Sequence, residues 1–286
     1  VCAITAAMRD GTGLKEFEAR FPNRFFDVGI SEGHAVAMAA GMAKQGCVPV
    51  FAVYSSFLQR GYDMLIHDVA LLKLHVVFGV DRAGLVGEDG ETHHGLFDVA
   101  YLSTVPGMTL YAPSSFAEVR TMLRHALLEV KGPVALRYPR GGEGDYHGDA
   151  GTAPTLVVKE GQGITLVTYG ATYPDILVVA ERLEEAGCQP EIIKLNRLCP
   201  LDLEPVCRSV AKTGRLLVAE EVAAMGSIGE KLCAGLAEAG IPLKAVRLCT
   251  TGRDFVPQGT VAQLRRLCGL DVESLFQAAM EVWKHE

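Results

Sequence analysis

The sequence predicts an α/β protein of two consecutive doubly wound, mostly parallel sheet domains. Three observations carry that expectation. Short, near-continuous apolar runs alternate with Ala- and Leu-rich stretches along the 286 residues; runs without polar alternation suit strands covered on both faces. The pattern is interrupted by the polar, Gly-rich stretch 141–152 and then resumes, as it would between domains. The length suits about two domains.

Taken in order, strands are expected at 2–5, 24–28, 49–53, 75–80 and 108–111, where β-branched, aromatic and other apolar side chains collect. Between them, 32–45 and 116–130 carry apolar residues at helical spacing. A second series follows, with strands at 164–169, 190–195, 215–219 and 243–248, a helix at 173–186 and a closing amphipathic helix at 271–284. The expected organisation is a first domain over 1–142, a linker over 143–162 and a second domain over 163–286.

Composition narrows the function. A formal net charge of -7 and a pI near 5.7 argue against nucleic-acid binding, which needs a basic footprint. Local Arg clusters still leave room for small anionic substrates. The eight Cys (2, 47, 188, 199, 207, 233, 249, 268) never fall in a CxxC spacing, so reduced, buried thiols of a cytoplasmic protein are expected rather than disulfides or zinc. No apolar run approaches ~18 residues and no signal peptide is visible, so no membrane partner is expected. The chain opens on Val1 rather than Met, and further residues are expected upstream.

Phosphate-loop, HExxH, GxSxG and strand-linked GxGxxG motifs are absent. The polar residues of the first domain instead gather at strand ends, where open α/β sheets place their sites. In Asp27-Val28-Gly29-Ile30-Ser31-Glu32-Gly33-His34, Ser31 suits an N-cap and Glu32 opens an apolar helix. From spacing alone Glu32 complements the helix dipole or serves chemistry. In Tyr54-Ser55-Ser56-Phe57-Leu58-Gln59-Arg60-Gly61-Tyr62-Asp63, an aromatic at a strand end can stack on a flat ring and an Arg can hold an anion; equally, Phe57 is core and Arg60 pairs with Asp63. The Gly-punctuated loop from Asp81-Arg82-Ala83-Gly84 through Glu88-Asp89-Gly90-Glu91-Thr92-His93-His94-Gly95 has the character of a site loop, without the spacing of a calcium loop. Arg137-Tyr138-Pro139-Arg140-Gly141 ends the last strand of the first domain with guanidinium forks suited to phosphate or to structural ion pairs. In the second domain, Gly226-Ser227-Ile228-Gly229 reads as a tight turn, and 251–259 as a turn-rich segment before a helix.

Together with Ile4-Thr5-Ala6-Ala7-Met8 and Phe255-Val256-Pro257-Gln258-Gly259, these segments in this order resemble the 1-deoxy-D-xylulose-5-phosphate synthase family of the transketolase superfamily, along essentially the whole chain. The resemblance implies a pyrimidine-binding domain followed by the transketolase C-terminal domain. It implies a thiamine-diphosphate-dependent, Mg2+-requiring transferase that condenses pyruvate with D-glyceraldehyde 3-phosphate, with loss of carbon dioxide. The product serves isoprenoid, thiamine and pyridoxal synthesis, and a cytoplasmic homodimer is implied. Glu32 matches the carboxyl that hydrogen-bonds the aminopyrimidine ring, a role suited to a poorly solvated Glu. Phe57 matches the ring that stacks on it. Tyr54, Arg82 and Arg140 match the groups that hold the substrate phosphate. Arg60, Asp89 and His93 match the wall around the reacting carbons, with Arg60 also at the cofactor and Asp89 and His93 as proton-moving groups.

This sequence departs from the family at Gly33, where Gln is usual, and at His94, whose role stays open. It also lacks the Gly-Asp-Gly…Asn motif that carries Mg2+ and the diphosphate in the family's first domain, so no metal ligand is expected among these residues. Three readings follow: part of a longer synthase, the second subunit of a split enzyme whose partner chain holds that domain, or a non-catalytic module. Glu32, Phe57 and the Arg set speak against the last.

Overall fold

The computed structural model describes residues 1–285. The first half runs β1 (Cys2–Thr5), α1 (Lys15–Arg20), β2 (Phe25–Asp27), α2 (Glu32–Lys44), β3 (Pro49–Tyr54), α3 (Ser55–Leu58), α4 (Tyr62–Met64), β4 (Val77–Asp81), α5 (Asp98–Leu102), β5 (Thr109–Tyr111), α6 (Phe116–Leu128) and β6 (Val134–Arg137). The second runs β7 (Thr155–Lys159), β8 (Ile164–Thr168), α7 (Tyr173–Glu185), β9 (Pro190–Leu195), β10 (Arg197–Cys199), α8 (Glu204–Thr213), β11 (Arg215–Ala219), α9 (Ile228–Glu238), β12 (Ala245–Cys249), α10 (Val261–Cys268) and α11 (Val272–Lys284).

Two sheets result, ordered β10-β5-β6-β4-β3-β1-β2 and β12-β11-β8-β9-β7. Every pairing is parallel except the edge strands β10 on β5 and β7 on β9. The central strands β4, β8 and β9 are buried along their whole length; β4 and β8 are mainly apolar, as such burial requires, whereas β9 also buries Glu191 and Lys194, which pair with Lys212 and Glu118. The first strand order reverses around β1 and β3, a switch point of the kind at which open α/β sheets bind ligands beside the carboxyl ends of their strands. α2 closes over it because Ala35, Val36, Ala39 and Ala40 form a small-residue buried stripe that lets the helix approach the sheet.

Three features depart from the sequence reading. The expected linker 143–162 contains β7, an edge strand of the second sheet. Its Gly-rich part is fastened along α6: Ser115 Oγ donates to the Gly148 carbonyl, Thr121 Oγ1 to Asp149, and Tyr146 to Glu118. β10, from the second half, completes the first sheet. Only Cys188 and Cys249 are buried; Cys47 is exposed and the other five are half-buried, all eight being free thiols. The two halves share one continuous apolar core, in which Ile4, Phe51 and Phe78 join Val167, Ile193 and Val218. Among the described residues no helix is long and apolar enough to cross a membrane.

Candidate active site

The carboxyl ends of β1, β2, β3, β4 and β6 supply the site. Glu32 is the first residue of α2 and only 3% exposed. Ser31 holds the N-cap position but its side chain makes no capping bond, so the opening carboxylate is the charge that meets the positive end of the helix. Glu32 Oε1 accepts from Arg60 Nη1 at 3.0 Å. Its Oε2 accepts from none of the described residues. Arg60 therefore pairs with Glu32, while Asp63 is taken by His67. Gly33, the position beside it, is filled from outside: a Cβ there would meet Met64 Cε at 2.8 Å.

The β3–α3 turn carries two aromatic rings, one of them beside Arg60. Phe57 stacks on Tyr54 (centroids 5.8 Å, 27°), receives His93 edge-on (5.1 Å, 67°) and has the Arg60 guanidinium 5.1 Å from its centroid. Arg82 lies 3.6 Å from the Tyr54 centroid. It is held there by Asp81 Oδ2 (2.8 Å) and the Gly11 carbonyl (3.1 Å). Its backbone sits at φ 59°, a conformation that L residues avoid unless the surroundings impose it. Burial raises the Asp81 carboxyl above its ordinary value against the opposing pull of Arg82, and burial likewise raises the Tyr54 phenol, again opposed by Arg82.

The site loop closes the far side. Arg140 pairs with Asp89, and both charges act on Tyr54. His93 Nδ1 shares a hydrogen with Thr92 Oγ1 at 2.8 Å, and Ser56 Oγ donates to the Thr92 carbonyl at 2.6 Å. The fold thus gathers Glu32, Tyr54, Phe57, Arg60, Arg82, Asp89, His93 and Arg140 in one cluster. His34, by contrast, points to solvent. Arg137 leaves the cluster: 6% exposed, it donates from Nε to buried Asp98 Oδ2 at 2.9 Å. Burial alone would lower its pKa, and Asp98 more than reverses that. Sequence reasoning missed Asp98 and Gly11, which only their spatial neighbours mark, and gave Ser56 no role within the segment it singled out. Among the described residues no three His, Cys, Asp or Glu gather as metal ligands.

Polar and aromatic side chains converging at the switch point of a parallel sheet define a small-molecule site of the doubly wound class. Residues 1–142 match the family model for the transketolase pyrimidine-binding domain and 153–275 that for the transketolase C-terminal domain: the chain belongs to the transketolase family. Curated relatives include the 1-deoxy-D-xylulose-5-phosphate synthases of Thermomicrobium roseum (47% identical over 96% of this chain and 44% of the relative) and Chlorobaculum tepidum (45% identical over 99% and 45%). Synthase 1 of Geobacter sulfurreducens is 44% identical over 97% of this chain and 44% of its own. The chain thus spans somewhat under half the length of these relatives. Among solved structures, a split-gene transketolase described as an inactive beta4 tetramer superposes with a TM-score of 0.86 at 26% identity, covering 99% of this chain and 92% of that one.

Proposed function

We propose that this chain supplies the pyrimidine-binding half of the active site of a 1-deoxy-D-xylulose-5-phosphate synthase. That enzyme is a transferase condensing pyruvate with D-glyceraldehyde 3-phosphate and releasing carbon dioxide, in the cytoplasm, for isoprenoid and thiamine synthesis. The observation that carries the reading is the buried Glu32 carboxyl, one oxygen on Arg60 and the other unengaged, with the same Arg60 guanidinium 5.1 Å from the half-exposed ring of Phe57. An acceptor oxygen beside an aromatic face fits the nitrogen-bearing edge and flat face of an aminopyrimidine. Thiamine diphosphate, when bound, supplies an electron sink for the carbanion chemistry.

The chain's own residues do the rest. Glu32 holds the proton at the pyrimidine ring nitrogen, kept from water by α2, while Phe57 packs on the ring and Arg60 steadies the Glu32 carboxylate. Arg82 and Arg140, with the Tyr54 hydroxyl, bind the phosphate of the aldehyde substrate. Asp89 and His93 orient the keto acid and acceptor and move a proton at the carbonyl oxygen. The Mg2+ and diphosphate ligands belong to residues outside these 286. Support for a covering half comes from Ile30, an apolar side chain 82% exposed two residues before the buried Glu32.

That half lies upstream in the same polypeptide, in a homodimer. A second reading places it on a separate chain, and the split-gene origin of the solved neighbour favours it. The experiment is thiamine-diphosphate binding by calorimetry to this chain, alone and with the completing domain. Weak or undetectable binding alone and tight binding when completed is the expected result; tight binding alone refutes the half-site reading.

A further inference from the structure

His93 and His94 are consecutive, and the fold sends them to opposite sides of the loop. His93 meets Phe57. His94 is 3% exposed and faces the second half of the chain. Its Nδ1 accepts from the Val86 backbone N–H at 3.1 Å, and its Nε2 lies 3.1 Å from the Pro257 carbonyl. A backbone N–H only donates and a carbonyl only accepts, so the partners themselves fix the tautomer with the proton on Nε2.

Other contacts make the same connection. Leu85 N donates to Glu221 Oε2 at 3.2 Å, Ala223 N to the Leu96 carbonyl at 2.9 Å and Gly259 N to the Gly87 carbonyl at 3.5 Å. Leu85 and Leu96 are buried against Val256 and Leu264. Gly90, at φ 71°, leaves only enough room for Gln258: a Cβ there would stand 3.1 Å from the Gln258 Cβ. The amides of His93 and His94 both donate to the Gly90 carbonyl, at 3.0 and 3.2 Å. The segment from Gly90 to His94 is therefore one tight turn that follows directly on the 3-10 turn Gly87–Asp89, and the His94 ring anchors its end.

We infer that His94 is a positioning residue through which the C-terminal domain sets where Asp89 and His93 stand relative to Phe57 and Arg140. The inference rests on the proposed function only in treating those two residues as substrate-facing. The test uses the full-length enzyme carrying His94→Asn, His94→Gln or His94→Leu, read by amide hydrogen exchange and by steady-state kinetics. Asn sets its oxygen near the place of Nδ1 and keeps the Val86 bond, but it is too short for Pro257. Gln reaches Pro257 with a donor. Leu keeps bulk and loses both bonds.

His94→Asn is expected to speed exchange across 86–95 about fivefold, the effect of one neutral hydrogen bond, and to lower kcat by a similar factor while KM for both substrates stays within about twofold. Gln should restore protection and kcat together, and Leu should exceed Asn in both. Unchanged exchange in the Asn and Leu variants overturns the inference, as does faster exchange with unaltered kcat. Exchange needs no turnover, so a wild-type enzyme inactive on pyruvate and the aldehyde refutes the proposed function while exchange still decides the anchor.

Discussion

Replacing Glu32 by Gln separates a catalytic carboxyl from one that merely complements a helix. Gln has the same shape, can still accept from Arg60 and fills the same 3%-exposed position, so the fold loses little. The Arg60 partner is 57% exposed, which limits the ion pair to about 1 kcal/mol of stability. The dipole contribution is about 0.3–1 kcal/mol. At roughly 2–4 °C per kcal/mol for a chain of this size, melting should fall by only a few degrees. A helix-dipole role would leave kcat unchanged. A proton-holding role predicts a loss of about 10²–10⁴-fold, the usual scale for a positioned acid or base. The assay is carbon dioxide release from pyruvate plus D-glyceraldehyde 3-phosphate by the full-length enzyme, alongside thermal melting of the same sample. A kcat within about threefold of wild type, with a normal melt, refutes the reasoning. Lost activity accompanied by a collapsed melt refutes it too, because Glu32 would then be a structural residue.

Arg140→Ala should raise KM for the phosphorylated aldehyde by about 10–100-fold, as expected for a charge-assisted bond, with KM for pyruvate within about twofold; equal effects on both substrates exclude a phosphate contact. Arg82→Ala should show the same preference less cleanly, since Arg82 also braces Asp81 and Gly11. Arg137→Met leaves the fully buried Asp98 carboxylate unpaired and should cost about 3–5 kcal/mol in urea unfolding. The double variant Asp98→Leu/Arg137→Met should be more stable than either single one, and additivity would refute the pairing. Asp149 is held below its ordinary carboxyl value by Thr121 and the Gly151 amide. Its folded value lies under the unfolded one, so its stabilisation is complete above about pH 4 and fades as pH falls through the folded value. Asp149→Asn should therefore be less stable than wild type at pH 7, with the difference shrinking as pH falls below about 4; a constant difference in urea midpoint contradicts this.

Much of the architecture follows from local sequence. The mainly apolar runs of β3, β4 and β8 suit a sheet covered on both faces, and across β3, β4, β8 and β9 four of the eight expected bounds shift by a residue or two, because apolar character fades gradually while hydrogen bonding stops abruptly. The segments that carry Glu32, Phe57, Asp89 and the Arg residues stood out as candidates because they follow strand ends, the places where a parallel sheet exposes side chains to a ligand, while the role of each residue rested on the family resemblance alone. The two antiparallel edge strands were not legible. β7 is half-exposed and lies inside the expected linker, and β10 is three residues long; neither carries a period to detect, and their partners lie far off in sequence.

Side-chain pairing belongs wholly to the tertiary level. Nothing in Arg137-Tyr138-Pro139-Arg140 distinguishes the arginine that sinks onto Asp98 from the one that reaches Asp89. Nothing in His93-His94 says which ring faces Phe57 and which grips Pro257. Adjacent residues of one type share a propensity but not a surrounding. Hydrogen bonds and desolvation are set by which distant segments arrive beside each of them, so the sequence by itself determined the elements and the residue types at their ends, and only the folded chain decided their partners.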